Sequence, residues 1–171
     1  MEIWDGYYRD ETLANIDLIR GVEIPAGLYH LVCEVLVQHT DGDYLLMKRD
    51  PRKPNYGGYF EATAGGAALK GEDSLRCIRR ELLEETGILE DDFEELGTFV
   101  SDEKQCIYHT FFCRTSCEKD AVRLQDKETV AYQWMAEPEF IRFVNSDQMI
   151  DTKRKRYEAY FARKGYLRDK L

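Results

Sequence analysis

One helix is marked more clearly than any other element of this 171-residue chain. Residues 71–87 begin and end with glycine, and the apolar residues between them recur at three- and four-residue spacings, which is typical of a helix with one buried face. Gly87 suits the left-handed turn that ends a helix, and Ile88 can pack back over that end. A helix with one apolar side has to lie against another layer of structure, so the flanking segments decide the fold.

Strand patterns lie on both sides of this helix. Residues 28–39 and 44–49 are rich in apolar residues and are separated by the turn sequence TDGD, which predicts a hairpin. A loop with two prolines and two glycines follows, and then a short strand over residues 59–66. Further strands are predicted over residues 93–101, 106–114 and 129–135.

Both ends of the chain are expected to add to this core. Residues 1–27 predict an N-terminal strand or hairpin extension, and residues 137–144 and 151–164 have a helical pattern. The basic segment 151–171 is interpreted as a C-terminal amphipathic helix with a solvated basic face. The order of elements predicts an α/β fold in which a mixed β-sheet lies between helices, within a single domain over residues 1–171.

Composition excludes several classes of protein. The net charge of −9 argues against a broad hold on nucleic acid, because phosphate binding needs a basic surface. The first residues lack a signal-peptide pattern, and no apolar run approaches the roughly 20 residues that cross a bilayer, so a soluble, cytoplasmic protein with no membrane partner is expected. Five cysteines without a C-x-x-C pair predict reduced thiols rather than disulfides or a zinc site.

The same helix concentrates negative charge on one face. At 100° per residue, Glu81, Glu84 and Glu85 fall within roughly a 100° arc. Two carboxylates about 6 Å apart repel by roughly 3 kcal/mol at an effective dielectric constant of about 20, and the dipole of the last helical turn also disfavours them. Arg80 can pair with Glu84, four residues later. The neighbouring apolar stripe is expected to contain Leu75, Ile78 and Leu82.

Such an acidic face has two interpretations. Hard divalent cations prefer oxygen ligands, and magnesium binds through a few carboxylates together with substrate phosphates, so the face predicts a magnesium site. The alternative is an ordinary solvated acidic face, which is the more frequent explanation of a bare E-x-x-E-E on a helix.

A longer pattern favours the metal site. Residues 66–88, GAALKGEDSLRCIRRELLEETGI, satisfy G-x5-E-x7-R-E-U-x-E-E-x-G-U at every fixed position, where U is a bulky aliphatic residue. This stretch resembles the Nudix box, the signature of the Nudix hydrolases, and the surrounding strands are similar to those of that fold. The chain departs from many members in having Ala64 where they have proline, which leaves the box itself intact.

The resemblance implies a Nudix-type α/β/α sandwich and a pyrophosphohydrolase. The enzyme would hydrolyse the diphosphate linkage of a nucleoside diphosphate joined to another moiety, such as a nucleotide sugar, ADP-ribose or a modified nucleotide, with Mg²⁺ or Mn²⁺ as cofactor. In the family, the residues that match Glu81 and Glu85 are metal ligands, and the one that matches Glu84 ligates or assists catalysis. Arg80 is similar to the arginine that orients them, and the carbonyl of Gly65 is similar to one that contacts metal.

Residues outside the box complete the predicted site. Glu128 precedes Trp134 at a distance similar to that of a further catalytic acid in some family members, and Glu103 is the competing candidate. A basic loop after the second strand is expected to hold substrate phosphate, with a solvated loop as the alternative. Its basic residues are Arg49, Arg52 and Lys53.

Other functions stay open at this point. Isopentenyl-diphosphate isomerases share the fold and match His30, but their box is degenerate and they carry a cysteine in the strand before it. A module that senses a nucleotide without cleaving it would usually lose box acids, which this chain keeps. An RNA-end hydrolase is disfavoured by the charge. A homodimer is compatible with the sequence.

Overall fold

The computed structural model describes residues 1–169. The strands are β1 (Ile3–Tyr7), β2 (Leu13–Ile19), β3 (His30–His39), β4 (Tyr44–Arg49), β5 (Phe60–Glu61), β6 (Thr63–Ala67), β7 (Glu94–Ser101), β8 (Cys106–Thr115) and β9 (Thr129–Met135). The helices are α1 (Ser74–Thr86), α2 (Glu137–Val144), α3 (Asp151–Arg156) and α4 (Glu158–Arg163). Each strand and helix expected from the sequence has a counterpart in this order.

A mixed β-sheet forms the centre of the molecule. The strand order is β5-β4-β3-β8-β7, with β6 also paired to β3 and β9 also paired to β4. Strands β3 and β8 run parallel over ten residue pairs, from His30↔Cys106 to His39↔Thr115. The other pairings are antiparallel.

The predicted hairpin of β3 and β4 opens soon after its turn. The two strands pair only at Gln38↔Tyr44. Farther from the turn, β3 pairs with β6 and β4 pairs with β5, so residues 60–67 lie between the two separated strands. This short segment therefore reaches both halves of the sheet, and it leads directly into the loop before α1.

Side chains alternate across the sheet and divide the core into two layers. Val35 on β3 packs with Ile78 and Leu82 of α1 on one face. Leu36, the next residue, belongs to the layer on the other face, with Phe140 of α2 and Phe161 of α4. Helices thus cover both faces of the mixed sheet, which confirms the predicted α/β/α arrangement.

The first residues form an antiparallel hairpin beside this core. Strands β1 and β2 pair from Ile3↔Ile19 onward, and Tyr7 bridges to Tyr29 just before β3. Trp4 is buried in a small cluster with apolar residues of the hairpin and the following loop. The hairpin therefore places the start of the chain next to the beginning of β3.

The C-terminal helix predicted over 151–171 is wrong in extent. The chain leaves the helical conformation at Tyr157, between α3 and α4, and residues 164–169 are not helical. Residues 170 and 171 lie outside the described residues. The Tyr157 side chain is buried and its hydroxyl donates to the Phe111 carbonyl at 3.4 Å, so a core contact takes precedence over a weak helical pattern. Within residues 1–169, none of these helices combines the length and the apolar character that a membrane span needs.

A buried ion-pair network ties α3 to the sheet. Glu34 of β3 is only 2% exposed, and it accepts hydrogen bonds from Lys153 and from Arg156, the latter at 2.7 and 2.9 Å. Burial alone would raise the pKa of Glu34, but the positive charges of Lys153 and Arg156 outweigh burial and lower that pKa to about 2. The network is therefore a charged core element that depends on all its members.

Removal of the Glu34 carboxylate should destabilise the fold strongly. Glu34→Ala leaves Arg156 without a carboxylate partner and Lys153 with only Glu61, at 3.7 Å. We expect the free energy of unfolding in urea to fall by about 3 kcal/mol at pH 7. The matched control is Glu94→Ala, which removes an exposed carboxylate paired with Arg163 at 3.0 Å, and we expect it to cost less than about 1 kcal/mol. Equal losses in the two variants would contradict the network's role.

The same network fixes the sign of the pH dependence. The pKa of Glu34 is lower in the folded chain than the ordinary 4.5, so its stabilisation is complete above pH 4.5 and is lost as the pH falls toward 2. Glu34→Gln should therefore show a smaller loss of stability over that acid range than the unmodified chain.

Candidate active site

A cleft with a volume of about 370 Å³ opens beside α1, β6 and the N-terminal hairpin. We refer to it as the carboxylate cleft. Three of the glutamates that line it come from the last turns of α1, and one comes from each of two distant segments. These carboxylates are Glu2, Glu81, Glu84, Glu85 and Glu128. The structure thus gathers the predicted metal ligands and the predicted outer acid in one cavity.

The ends of α1 fix where its acidic face points. Asp73 caps the first turn by accepting a hydrogen bond from the Arg76 amide at 2.8 Å. Gly87 adopts φ 74° and its amide donates to the Leu83 carbonyl at 2.9 Å, which confirms the predicted left-handed end. Leu75 was expected in the buried stripe, but this residue, the second of α1, is 54% exposed. The buried residues of the helix are Cys77, Ile78, Leu82 and Thr86.

Arg80 organises the carboxylates at the centre of this cleft. Its guanidinium donates to both oxygens of Glu72, at 2.7 and 2.9 Å, and to Glu81 at 2.7 Å. The guanidinium also donates a longer hydrogen bond to Glu84, at 3.2 Å, and one to the Ala67 carbonyl, at 3.1 Å. The sequence suggested Glu84 as the partner of Arg80, whereas the two-oxygen contact with Glu72 is the main one. Planar two-point pairing of this kind is specific to arginine.

Gly66 allows the Glu81 carboxylate to lie directly on the backbone. A Cβ atom at residue 66 would be 2.7 Å from both oxygens of Glu81, which is closer than such contacts occur. Burial raises the pKa of Glu81, although the hydrogen bond and charge of Arg80 act in the opposite direction. The first glycine of the box is therefore a steric requirement for the position of Glu81.

Gly65 plays a similar part for Glu85. A Cβ atom there would lie 2.0 Å from the Cys33 carbonyl oxygen, so only glycine permits the close pairing of β6 with β3. The Gly65 amide donates to Glu85 at 2.9 Å. Burial, followed by repulsion from Glu61, raises the pKa of Glu85 to about 8. Over residues 1–169, Glu85 forms no ion pair, and the charge of Lys153 opposes the effect of burial only in part.

The chemistry of this donor set fits a hard divalent cation. Glu81 and Glu85 are carboxylates whose raised pKa values show that a nearby positive charge would stabilise them. Within residues 1–169, no three Asp, Glu, His or Cys side chains are already gathered as a ligand group, because Arg80 holds Glu81 and Glu84 and the Gly65 amide holds Glu85.

The two candidate acids outside the box lie in different places. Glu128 lines the cleft and forms an ion pair with Lys53 at its edge. Glu103 lies in the turn between β7 and β8 and is not among the residues that line the cleft. The geometry therefore favours Glu128 over Glu103.

The predicted phosphate-binding residues are spread over three environments. Lys53 reaches Glu128, as described above. Arg52 pairs with Asp50 at 2.5 Å on the surface. Arg49 pairs with Glu61 at 3.0 Å and lines a neighbouring cleft. Of the three, only Lys53 contacts a residue of the carboxylate cleft.

Sequence reasoning missed the wall that the N-terminal hairpin contributes. His30 stacks on Trp4 with ring centroids 4.2 Å apart, and both line the cleft with Arg20. Burial lowers the pKa of His30 to about 4, so its ring is neutral at pH 7. His30 had been noticed only through the isomerase resemblance, and no local pattern shows that the hairpin folds over the cleft.

Comparisons with known proteins decide the family. The NUDIX domain profile matches residues 28–160 of this chain. The chain belongs to the Nudix hydrolase family. Nudix enzymes use divalent cations and act on nucleotide-derived substrates, so this Nudix chain is an enzyme of the pyrophosphohydrolase type.

Relatives and solved structures agree with this assignment. An uncharacterised Nudix hydrolase of Listeria monocytogenes is 28% identical over 88% of this chain and 89% of its own length. The structure of DR0079 from Deinococcus radiodurans is similar in fold, with a TM-score of 0.67 and 15% identity over 84% of this chain and 88% of that one. The structure of a MutT protein from Methanosarcina mazei is also similar in fold, with a TM-score of 0.64. Its sequence is 23% identical, over 85% of this chain and 99% of that one.

Arg80 should be needed for both stability and activity. Arg80→Lys loses the two-oxygen contact with Glu72, and we expect the free energy of unfolding to fall by about 2 kcal/mol. We also expect a marked loss of turnover, because Glu81 and Glu84 lose their anchor. The neighbouring Arg79, which pairs with Asp91 at the surface at 2.9 Å, provides the control. If Arg79→Lys has the same effects as Arg80→Lys, the organising role of Arg80 is wrong.

Proposed function

We propose that this Nudix hydrolase cleaves the diphosphate linkage of a nucleoside diphosphate joined to another moiety. Nucleotide sugars, ADP-ribose and modified nucleotides are the substrate classes that we favour. The observation that supports this most strongly is the pair of half-buried carboxylates, Glu81 and Glu85, which lie against the glycine backbone of residues 65 and 66, beside Arg80, in one cleft. Such an arrangement costs folding energy unless a cation and a phosphate complete it.

The proposed cofactor is Mg²⁺ or Mn²⁺, held by Glu81, Glu85 and Glu84, with the Gly65 carbonyl as a further ligand. A bound divalent cation supplies neutralisation of phosphate charge and activation of water. Arg80 keeps Glu81 and Glu84 in place, and the Gly65 amide does the same for Glu85. The chain's contribution is therefore mostly positioning and electrostatics.

Glu128 is the proposed acceptor of the proton that the attacking water loses. Water forms a bond to phosphorus, the bond from phosphorus to the bridging oxygen breaks, and two phosphate-bearing products leave. Lys53, paired with Glu128, is also proposed to contact a substrate phosphate. Arg49, the last residue of β4, and Arg52, in the loop that follows, are also proposed to contact substrate phosphate.

We propose that the protein is cytoplasmic. We also propose that residues 1–171 form a single domain. All five cysteines are free thiols, and four of them are buried, as expected for a protein of a reducing compartment. A homodimer stays a prediction that a measurement of molecular mass in solution would test.

Turnover of a substrate panel tests the proposed function. With Mg²⁺ or Mn²⁺ present, we expect cleavage of at least one of ADP-ribose, a nucleotide sugar, a dinucleoside polyphosphate or an oxidised nucleoside triphosphate. Glu85→Gln should reduce kcat by at least about a hundredfold, because the carboxylate charge is lost while the shape is kept. Glu139→Gln, on an exposed part of α2, should leave kcat unchanged.

Failure of this test would have two distinct forms. Tight nucleotide binding without product would indicate a sensing module instead of an enzyme. A Glu85→Gln variant that retains full activity would remove the proposed role of this carboxylate.

The identity of the outer acid can be decided with a matched pair of variants. Glu128→Gln should lower kcat by about a hundredfold, because the proton acceptor is lost. Glu103→Gln should leave kcat unchanged. The opposite result would assign the role to Glu103.

A further inference from the structure

A second cleft, separate from the carboxylate cleft, lies between the 50–56 loop and α3. It has a volume of about 420 Å³. Four basic side chains from three segments (β4, the turn between β7 and β8, and α3) line it, together with the aromatic ring of Tyr56. The basic residues are Arg49, Lys104, Lys153 and Arg156. We refer to it as the cationic cleft.

The cationic cleft keeps an excess of positive charge after its internal ion pairs are counted. Glu61 lies among the lining residues and pairs with Arg49 at 3.0 Å and with Lys153 at 3.7 Å. Glu34, beneath the cleft, pairs with Lys153 and Arg156. Two carboxylates thus face four cations, in a chain whose net charge is −9. Over residues 1–169, the side chain of Lys104 forms no ion pair.

The cations are held in fixed positions. The Arg156 guanidinium lies over the Tyr108 ring, 4.1 Å from its centroid. The Arg49 Nε donates to the Asn55 carbonyl at 3.0 Å, which ties the loop to β4. A site whose cations are already positioned loses little side-chain entropy when it binds an anion.

Tyr56 adds a strained position and an open ring. Its φ of 55° is in the left-handed region, which is uncommon for a bulky residue, and such positions concentrate at functional sites. Its side chain is 43% exposed and contacts Tyr59 edge-on, with centroids 5.6 Å apart. The exposed part of the ring can contact a flat or sugar-like group next to the anion.

Residues 60–67 join the cationic cleft to the carboxylate cleft. Glu61 at one end of the segment lines the first, while Gly65 and Gly66 line the second. Four residues of extended chain span at most about 14 Å. That distance is within the length of a nucleoside diphosphate, so one substrate molecule can reach both clefts.

We propose that the cationic cleft binds a phosphate group that the substrate carries in addition to the one under attack. The assignment of this anion to the substrate rests on the proposed function, whereas the anion site itself does not. The cationic cleft therefore selects substrates that carry phosphate charge outside the carboxylate cleft. Lys104 is the cation most available to contact this additional phosphate.

Binding of inorganic pyrophosphate to the full-length chain without metal tests this site. Under these conditions the five glutamates of the carboxylate cleft repel the probe, so binding reports on the cationic cleft. In a two-dimensional amide NMR titration, we expect the shifts to concentrate at Asn55, Lys104 and Thr152. Lys104→Ala should weaken the affinity by about tenfold, the loss of one charge-assisted contact.

Lys155→Ala is the matched control. Lys155 lies on α3, its side chain is 65% exposed and pairs with Asp151 at 3.1 Å, and it does not line the cleft. We expect it to change the affinity by less than about twofold. No binding in the millimolar range, shifts elsewhere in the chain, or equal losses in the two variants would overturn the proposal. Because the measurement needs neither metal nor turnover, an inactive chain can pass it and an active hydrolase can fail it.

Discussion

The set of contacts around Arg80 is the interaction on which the rest of the site depends. Its guanidinium joins Glu72 in the loop before α1, Glu81 and Glu84 on the helix, and the Ala67 carbonyl at the end of β6. The loop, the helix and the sheet are therefore fixed to one another through a single planar group. This explains how a helix can carry three clustered glutamates near its C-terminal end, where both their mutual repulsion and the helix dipole disfavour them.

The separation of β3 from β4 gives that helix a surface to face. Because the hairpin opens after Gln38↔Tyr44, residues 60–67 can pair with both strands. The two glycines in this segment bring its backbone against Glu81 and Glu85. Glu34 of β3 fixes α3 through Lys153 and Arg156, which also line the cationic cleft. Stability and substrate binding thus share residues in this protein.

Much of this could be predicted from sequence because its signals are local. A helix between Gly71 and Gly87, its left-handed end and its acidic face follow from spacing, and the structure has this helix over Ser74–Thr86. Leu75 has the spacing of the buried stripe but is exposed, because periodicity gives the side of the helix and not what packs against it. The break at Tyr157, the wall formed by Trp4 and His30, and the meeting of Arg49 with Lys153 all depend on contacts between distant segments. No pattern within one segment contains that information.

Manganese binding to the chain, followed by electron paramagnetic resonance at several pH values, tests the central claim most directly. We expect the unmodified chain and the surface variant Glu139→Gln to bind manganese with the same affinity. In Glu85→Gln, the manganese affinity should fall by at least about tenfold. The affinity of the unmodified chain should rise with pH toward about 8, where Glu85 loses its proton. Equal affinity in Glu85→Gln and the unmodified chain would contradict a metal site on the acidic face of α1.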